Sequence, residues 1–132
     1  MKLTSLILCD SANILADGRF NLLGGGVDQV RANQYPASGH LTVVLRIEVS
    51  PTEIGLHRLT LRFVNADGKE IVPPVDAELN VDSGVRFANL VLGLQDFVYP
   101  APGVYSVRVV LDRQDVGGGA NRSYFDGGVE LR

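Results

Sequence analysis

The sequence predicts an all-β protein, an antiparallel β-sandwich of about eight or nine strands. Three observations lead there. Residues 100–112 run from a Pro-Gly turn straight into a segment where Tyr105, Val107, Val109 and Leu111 alternate with Ser106 and Arg108, the period of a half-buried strand. Fifteen glycines and six prolines among 132 residues cut the chain into short pieces, with turn signals recurring roughly every 8–12 residues as sandwiches require. No segment sustains a helical period, and none repeats another.

A chain of this length forms one domain, residues 1–132, large enough to bury a core without covalent staples. Its composition, 45% hydrophobic and 20% charged, is that of a globular protein. A formal net charge of −3 argues against binding through phosphate neutralisation, which needs a surplus of cations, so no nucleic-acid partner is expected. The sole cysteine, Cys9, has no intramolecular partner, which fits a reducing, cytoplasmic compartment. Lys2 and the apolar run after it look superficially like a lipoprotein leader. The run is too short, however, and Leu8 is bulky where a small residue precedes the cleaved bond. No apolar stretch approaches the roughly 20 residues of a spanning helix, so no membrane is expected.

Taken in order, residues 2–12 start a strand that is apolar on both faces at Leu6, Ile7 and Leu8. Asp17-Gly18 is a turn, since glycine takes positive φ freely and the aspartate bonds the local backbone. Residues 20–30 form a strand interrupted by Gly24-Gly25-Gly26, the mark of a bulge or bend. After a loop at 33–39, Leu41, Val43, Leu45, Ile47 and Val49 alternate with Thr42, Val44, Arg46 and Glu48. Residues 50–55 turn the chain into a strand with Leu59, Leu61 and Phe63 inward and Arg58, Thr60 and Arg62 outward. Residues 71–74 end in Pro73-Pro74 and suit only a sheet edge, because proline donates no ladder bond. Val75, Ala77, Leu79 and Val81 then alternate with four polar residues. The nearly continuous apolar segment 85–98 reads as interior to a sheet. Residues 123–131 supply the partner of the strand after Pro102-Gly103.

Two stretches resemble known families. Pro102-Gly103-Val104-Tyr105 with its following valines is similar to the turn into the penultimate strand of bacterial immunoglobulin-like domains, where the tyrosine sits at a corner. The pattern Leu-Cys-Asp-Ser-Ala-Asn at 8–13, Asp17-Gly18, and then Asn21-Leu22-Leu23-Gly24, closing on Pro-Gly-x-Tyr, resembles an uncharacterised bacterial family of small stand-alone immunoglobulin-like β-sandwich proteins. The resemblance spans nearly the whole chain. It implies the fold and a bacterial, cytoplasmic setting, and it carries no catalytic residue.

Chemistry finds little purchase. His40 and His57 stand at strand starts, where rim roles are usual, and no nucleophile with a base accompanies them. Cys9 reads as a buried small hydrophobe. The histidines and the cysteine lack zinc spacing, so neither a cofactor nor a catalytic residue is expected. Asp112, Asp115 and Asp126 around the final hairpin are calcium candidates, set against ordinary solvated loop acids. Gly24-Gly25-Gly26 and Gly117-Gly118-Gly119 lack the Gly-Lys-Ser/Thr ending of a phosphate loop. Arg46, Arg58, Arg62 and Arg108 would form a basic stripe if their strands share a sheet, a site for an acidic partner, or equally a solvated face balanced by Glu48 and Glu78. Tyr35, Phe97 and Tyr99 lie in or beside loops, where aromatics anchor contacts or cap a core. The function expected is therefore non-enzymatic binding of a protein partner or of a second copy as a homodimer through a sheet edge. The alternative is a small-ligand or carbohydrate module, with or without calcium.

Overall fold

The computed structural model describes residues 1–111 and the backbone of residues 123–131. In chain order the strands are β1 (Lys2–Cys9), β2 (Ser11–Ile14), β3 (Phe20–Leu23), β4 (Gln29–Val30), β5 (Ala37–Glu48), β6 (Gly55–Val64), β7 (Val75–Val81), β8 (Phe87–Tyr99), β9 (Gly103–Leu111) and β10 (Ser123–Leu131). One sheet has the order β1-β5-β8, a second the order β4-β10-β9-β6-β7, and β2 with β3 makes a separate hairpin. The ladders are antiparallel except the short parallel pairing of β4 with β10.

Alternation becomes packing across a single core. Val43, Leu45 and Ile47 of β5 meet Leu59, Leu61 and Phe63 of β6 and Val107, Val109 and Leu111 of β9, all nearly inaccessible to water. Since each such side chain contributes about 1.5–3 kcal/mol on burial, this layer joins the two sheets. Four rings line one end of it. Phe63 and Phe97 meet edge to face at 4.9 Å, Phe97 and Tyr99 at 4.8 Å, and Tyr99 and Tyr105 at 5.8 Å. Tyr105, near the start of β9, ties down the corner that precedes the strand, its hydroxyl donating to the Ala101 carbonyl while the Ala101 amide donates back at 3.3 Å.

The segment expected as one strand at 2–12 breaks at Asp10. There the chain leaves the sheet and folds the β2–β3 hairpin back against β5 and β8. Gly24 makes that corner possible. Its φ of 62° is in the left-handed region, and a Cβ there would lie 2.2 Å from an Asp10 carboxylate oxygen. The Gly26 and Val27 amides both donate to the Leu8 carbonyl, so the glycine run is a bend, as its composition predicts. The hairpin explains why Thr42 and Val44, which alternate with the core residues of β5, are also buried. Its turn is tied down by Asn89 Nδ2 donating to the Gly18 carbonyl at 2.8 Å.

Two further expectations change, and the expected turn at 50–55 gains detail. Residues 71–74 form no strand, and the chain is joined to β6 by an isolated bridge from Glu70 to Val64, with the Ile71 amide donating to the Phe63 carbonyl at 2.9 Å. The loop at 50–55 contains a 3-10 turn, Pro51–Glu53, whose sequence signal is the Ser-x-x-Glu spacing of a capping box. The Ser50 amide donates to the Glu53 carboxylate at 3.0 Å. The second change concerns 85–98: β8 is not interior. Among the described residues it pairs with β5 alone and forms an edge of its sheet.

Candidate functional site

The four arginines of the expected stripe are divided between the sheets. Arg46 is on β5, half-buried, bonded through Nη1 to Asn89 Oδ1 at 3.0 Å and stacked 4.3 Å over the Phe87 ring. Arg58 and Arg62 on β6 and Arg108 on β9 share the outer face of the other sheet, with Arg62 directly opposite Arg108 in the ladder. That face is internally balanced. Arg58 approaches Glu78 at 3.9 Å, and Arg62 pairs with Glu70. Between them Thr60 donates to Asp76 Oδ1 at 2.6 Å. The structure thus brings three arginines together, excludes Arg46, and sets carboxylates beside Arg58 and Arg62.

The two tyrosines also separate. Tyr99 is buried within the aromatic row, so it is a core residue and not a contact anchor. Phe97 is buried beside it. Tyr35 is half-buried before the cis Tyr35-Pro36 bond and packs against the core margin. His57 differs from expectation: it is buried on β6, and its Nε2 lies 2.6 Å from the Glu53 carbonyl, an arrangement in which the ring nitrogen donates. Cys9 is buried as expected, with its thiol raised above the usual range by burial and then by the nearby Asp10 charge. Asp112 and Asp115 lie outside the described residues, and of Asp126 only the backbone position, opposite Arg108, is described. Among the described residues, no group of three or more His, Cys, Asp or Glu is placed to hold a metal ion.

What the site residues read from sequence do not include is the outer edge of β8. Residues 87–94 carry no charge, no proline and one glycine, and Leu90, Leu92 and Leu94 pack against the core while remaining only partly covered. The other edges of the two main sheets are guarded. β1 begins with Lys2, and its Leu8 carbonyl receives the Gly26 and Val27 amides. β7 follows Pro73-Pro74 and carries Asp76 and Glu78. β4 is two residues long. Short strands, prolines and charges are the devices that keep edges from pairing with other chains, and residues 87–94 of the long strand β8 carry none of them, its one charge, Asp96, standing beyond them. Its far end holds a bulge. Gly39 of β5 pairs with Phe97 and Leu41 with Leu94, which leaves His40 opposite Gln95 and Asp96, the latter at φ 55°. A cleft of about 570 Å³ opens there, lined by His40, Asp10, Ser11, Thr42, Gln95 and Asp96 among others.

The model of a family of unknown function, DUF6941, matches residues 4–117. The chain belongs to this family. No curated protein matches it. Among solved structures, the PmoD soluble domain from Methylocystis sp. ATCC 49242 (Rockwell) is similar over 96% of this chain and 89% of that one, at 13% identity and a TM-score of 0.45. A family 123 glycoside hydrolase from Clostridium perfringens is similar over 80% of this chain and 23% of that one, at 14% identity and a TM-score of 0.41. At such scores neither likeness bears on activity. Among the described residues, no helix is long and apolar enough to cross a membrane.

Proposed function

We propose that this member of the family is a non-enzymatic interaction module, an immunoglobulin-like β-sandwich of the bacterial cytoplasm that binds a protein by adding a strand at β8. The observation that carries the reading is the mismatch between composition and place. β8 has the two-sided apolar character of an interior strand, yet stands at an unguarded edge. An added strand would satisfy its free backbone groups and cover Leu90, Leu92 and Leu94. The Tyr105 corner supports the immunoglobulin-like assignment, since its hydroxyl returns to backbone a few residues upstream. The balanced arginine face supports a surface role for Arg58 and Arg62 and leaves β8 as the docking element.

The experiment is capture from bacterial cytoplasm on the tagged chain, its Leu92→Lys variant, and an Arg58→Glu/Arg62→Glu variant. A lysine on the edge blocks strand addition, so bound protein is expected to disappear with Leu92→Lys and persist with the arginine pair. Retention by Leu92→Lys and loss with the arginine pair would move the site to the β6 face. A small-ligand module is the second reading, favoured by the cleft at the bulge, where Asp96 holds a backbone conformation rare outside glycine.

A further inference from the structure

We infer that the strand β8 receives is β8 of a second copy, paired antiparallel about a two-fold axis at Val91. The inference rests on the reading of β8 as the docking strand and names its occupant. Identical edges pair in a closed, self-complementary way when the axis stands perpendicular to the sheet. Side chains then keep to their own faces only if the axis passes through a residue, because a one-residue slip sends every inward side chain outward. Val91 is the residue that the charges select. With it on the axis, Leu90 faces Leu92 of the partner subunit, Ala88 faces Leu94 and Asn89 faces Gly93, so the inward residues of both copies extend one core. The charges nearest this segment then meet favourably. Arg86, exposed beside the Phe87 ring at 5.7 Å, falls opposite Asp96 of the partner subunit, once on each side of the axis.

Neighbouring registers lose this match. An axis at Leu90 sets Arg86 opposite Leu94, and one at Leu92 sets Asp96 opposite Ala88, which is buried. The bulge at Gln95 and Asp96 ends the regular ladder just past the uncharged segment, so Asp96 meets Arg86 of the partner subunit at the ladder's end and not within it. The result joins two three-stranded sheets into one of six strands.

The test is sedimentation of the full chain with cysteine cross-linking. The expected mass is twice 14.2 kDa, falling to the single-chain value in Leu92→Lys and in Val91→Lys. The second variant lies outside the main core cluster, so it separates loss of pairing from loss of folding. Residues directly opposite in an antiparallel ladder have Cα atoms about 4.5–5.5 Å apart, within disulfide reach. Mild oxidation should therefore link Val91→Cys to itself and leave Gly93→Cys unlinked, because residue 93 sits away from the axis, while the open space around its Cβ, with nothing within 4 Å, lets the fold accept the substitution. Buried Cys9 does not compete. A single-chain mass at all concentrations overturns the self-pairing, as does a dimer that both lysine variants leave intact or one that Gly93→Cys links and Val91→Cys does not. If the chain is monomeric but Leu92-dependent capture of another protein persists, self-pairing falls and the docking strand stands. If neither is found, both fall.

Discussion

Glu53 shows how one side chain couples a turn to the solution. Its carboxylate accepts from the Met1 ammonium, and from the Ser50 amide and hydroxyl at 3.0 Å each. Burial alone would push its pKa up, but the ammonium and the two Ser50 bonds outweigh that effect and hold it below the usual carboxylate value. A carboxylate with a lowered pKa stabilises the fold above its unfolded value, about 4.3, and loses that contribution as pH falls through the folded value. Denaturant midpoints are therefore expected to drop on acidification below about pH 4.3, with a shallower drop in Glu53→Gln. Equal slopes for the two proteins would remove Glu53 from the acid response. Cys9 is the opposite case: burial raises its pKa, its Sγ–H points to the Thr42 carbonyl at 3.6 Å, and the thiol is left inert.

Among elements, β6 and β8 carry the contrast. The outward arginines of β6 sit in a charge-balanced face, and ion pairs at this exposure contribute about 0–1 kcal/mol. Arg58 is the more exposed and its pair the longer, at 3.9 Å, while Arg62 and Glu70 are more enclosed. Arg58→Ala is expected to cost less than about 0.5 kcal/mol and Arg62→Ala up to about 1 kcal/mol, measured by urea unfolding. A larger loss at Arg58 than at Arg62 would contradict this ordering. On β8 the energetic interest lies in backbone groups and half-covered leucines, which is why its variants are read by mass and capture.

For the whole molecule, the join between sheets is aromatic as well as aliphatic. Phe63 belongs to the five-stranded sheet and Phe97 to the three-stranded one, with their rings at 72°. A double-mutant cycle of Phe63→Leu and Phe97→Leu is expected to give a coupling of about 0.5–1.5 kcal/mol, detected by denaturant unfolding, whereas strict additivity would mean that the rings do not link the layers.

Much of this architecture was written locally. The alternation at 41–49, 59–63, 75–81 and 105–111 specified strands and their inward faces, because a side-chain period of two is a property of the extended backbone itself. Asp17-Gly18 and the Gly24 bend were legible because positive φ selects glycine. The burial of Cys9 was legible from residue type alone. Other features depended on partners distant in sequence. An apolar run looks the same whether one strand or two flank it, so the edge position of β8 came from pairing. Arg46 left the stripe because β5 entered the other sheet, Thr42 and Val44 were covered by a hairpin folded from residues 11–23, and Tyr99 became core because Tyr105 and Phe97 closed around it. Periodicity is inherited from the chain's own geometry, whereas exposure of an edge, a face or a ring is a relation among segments that meet only when the chain has folded.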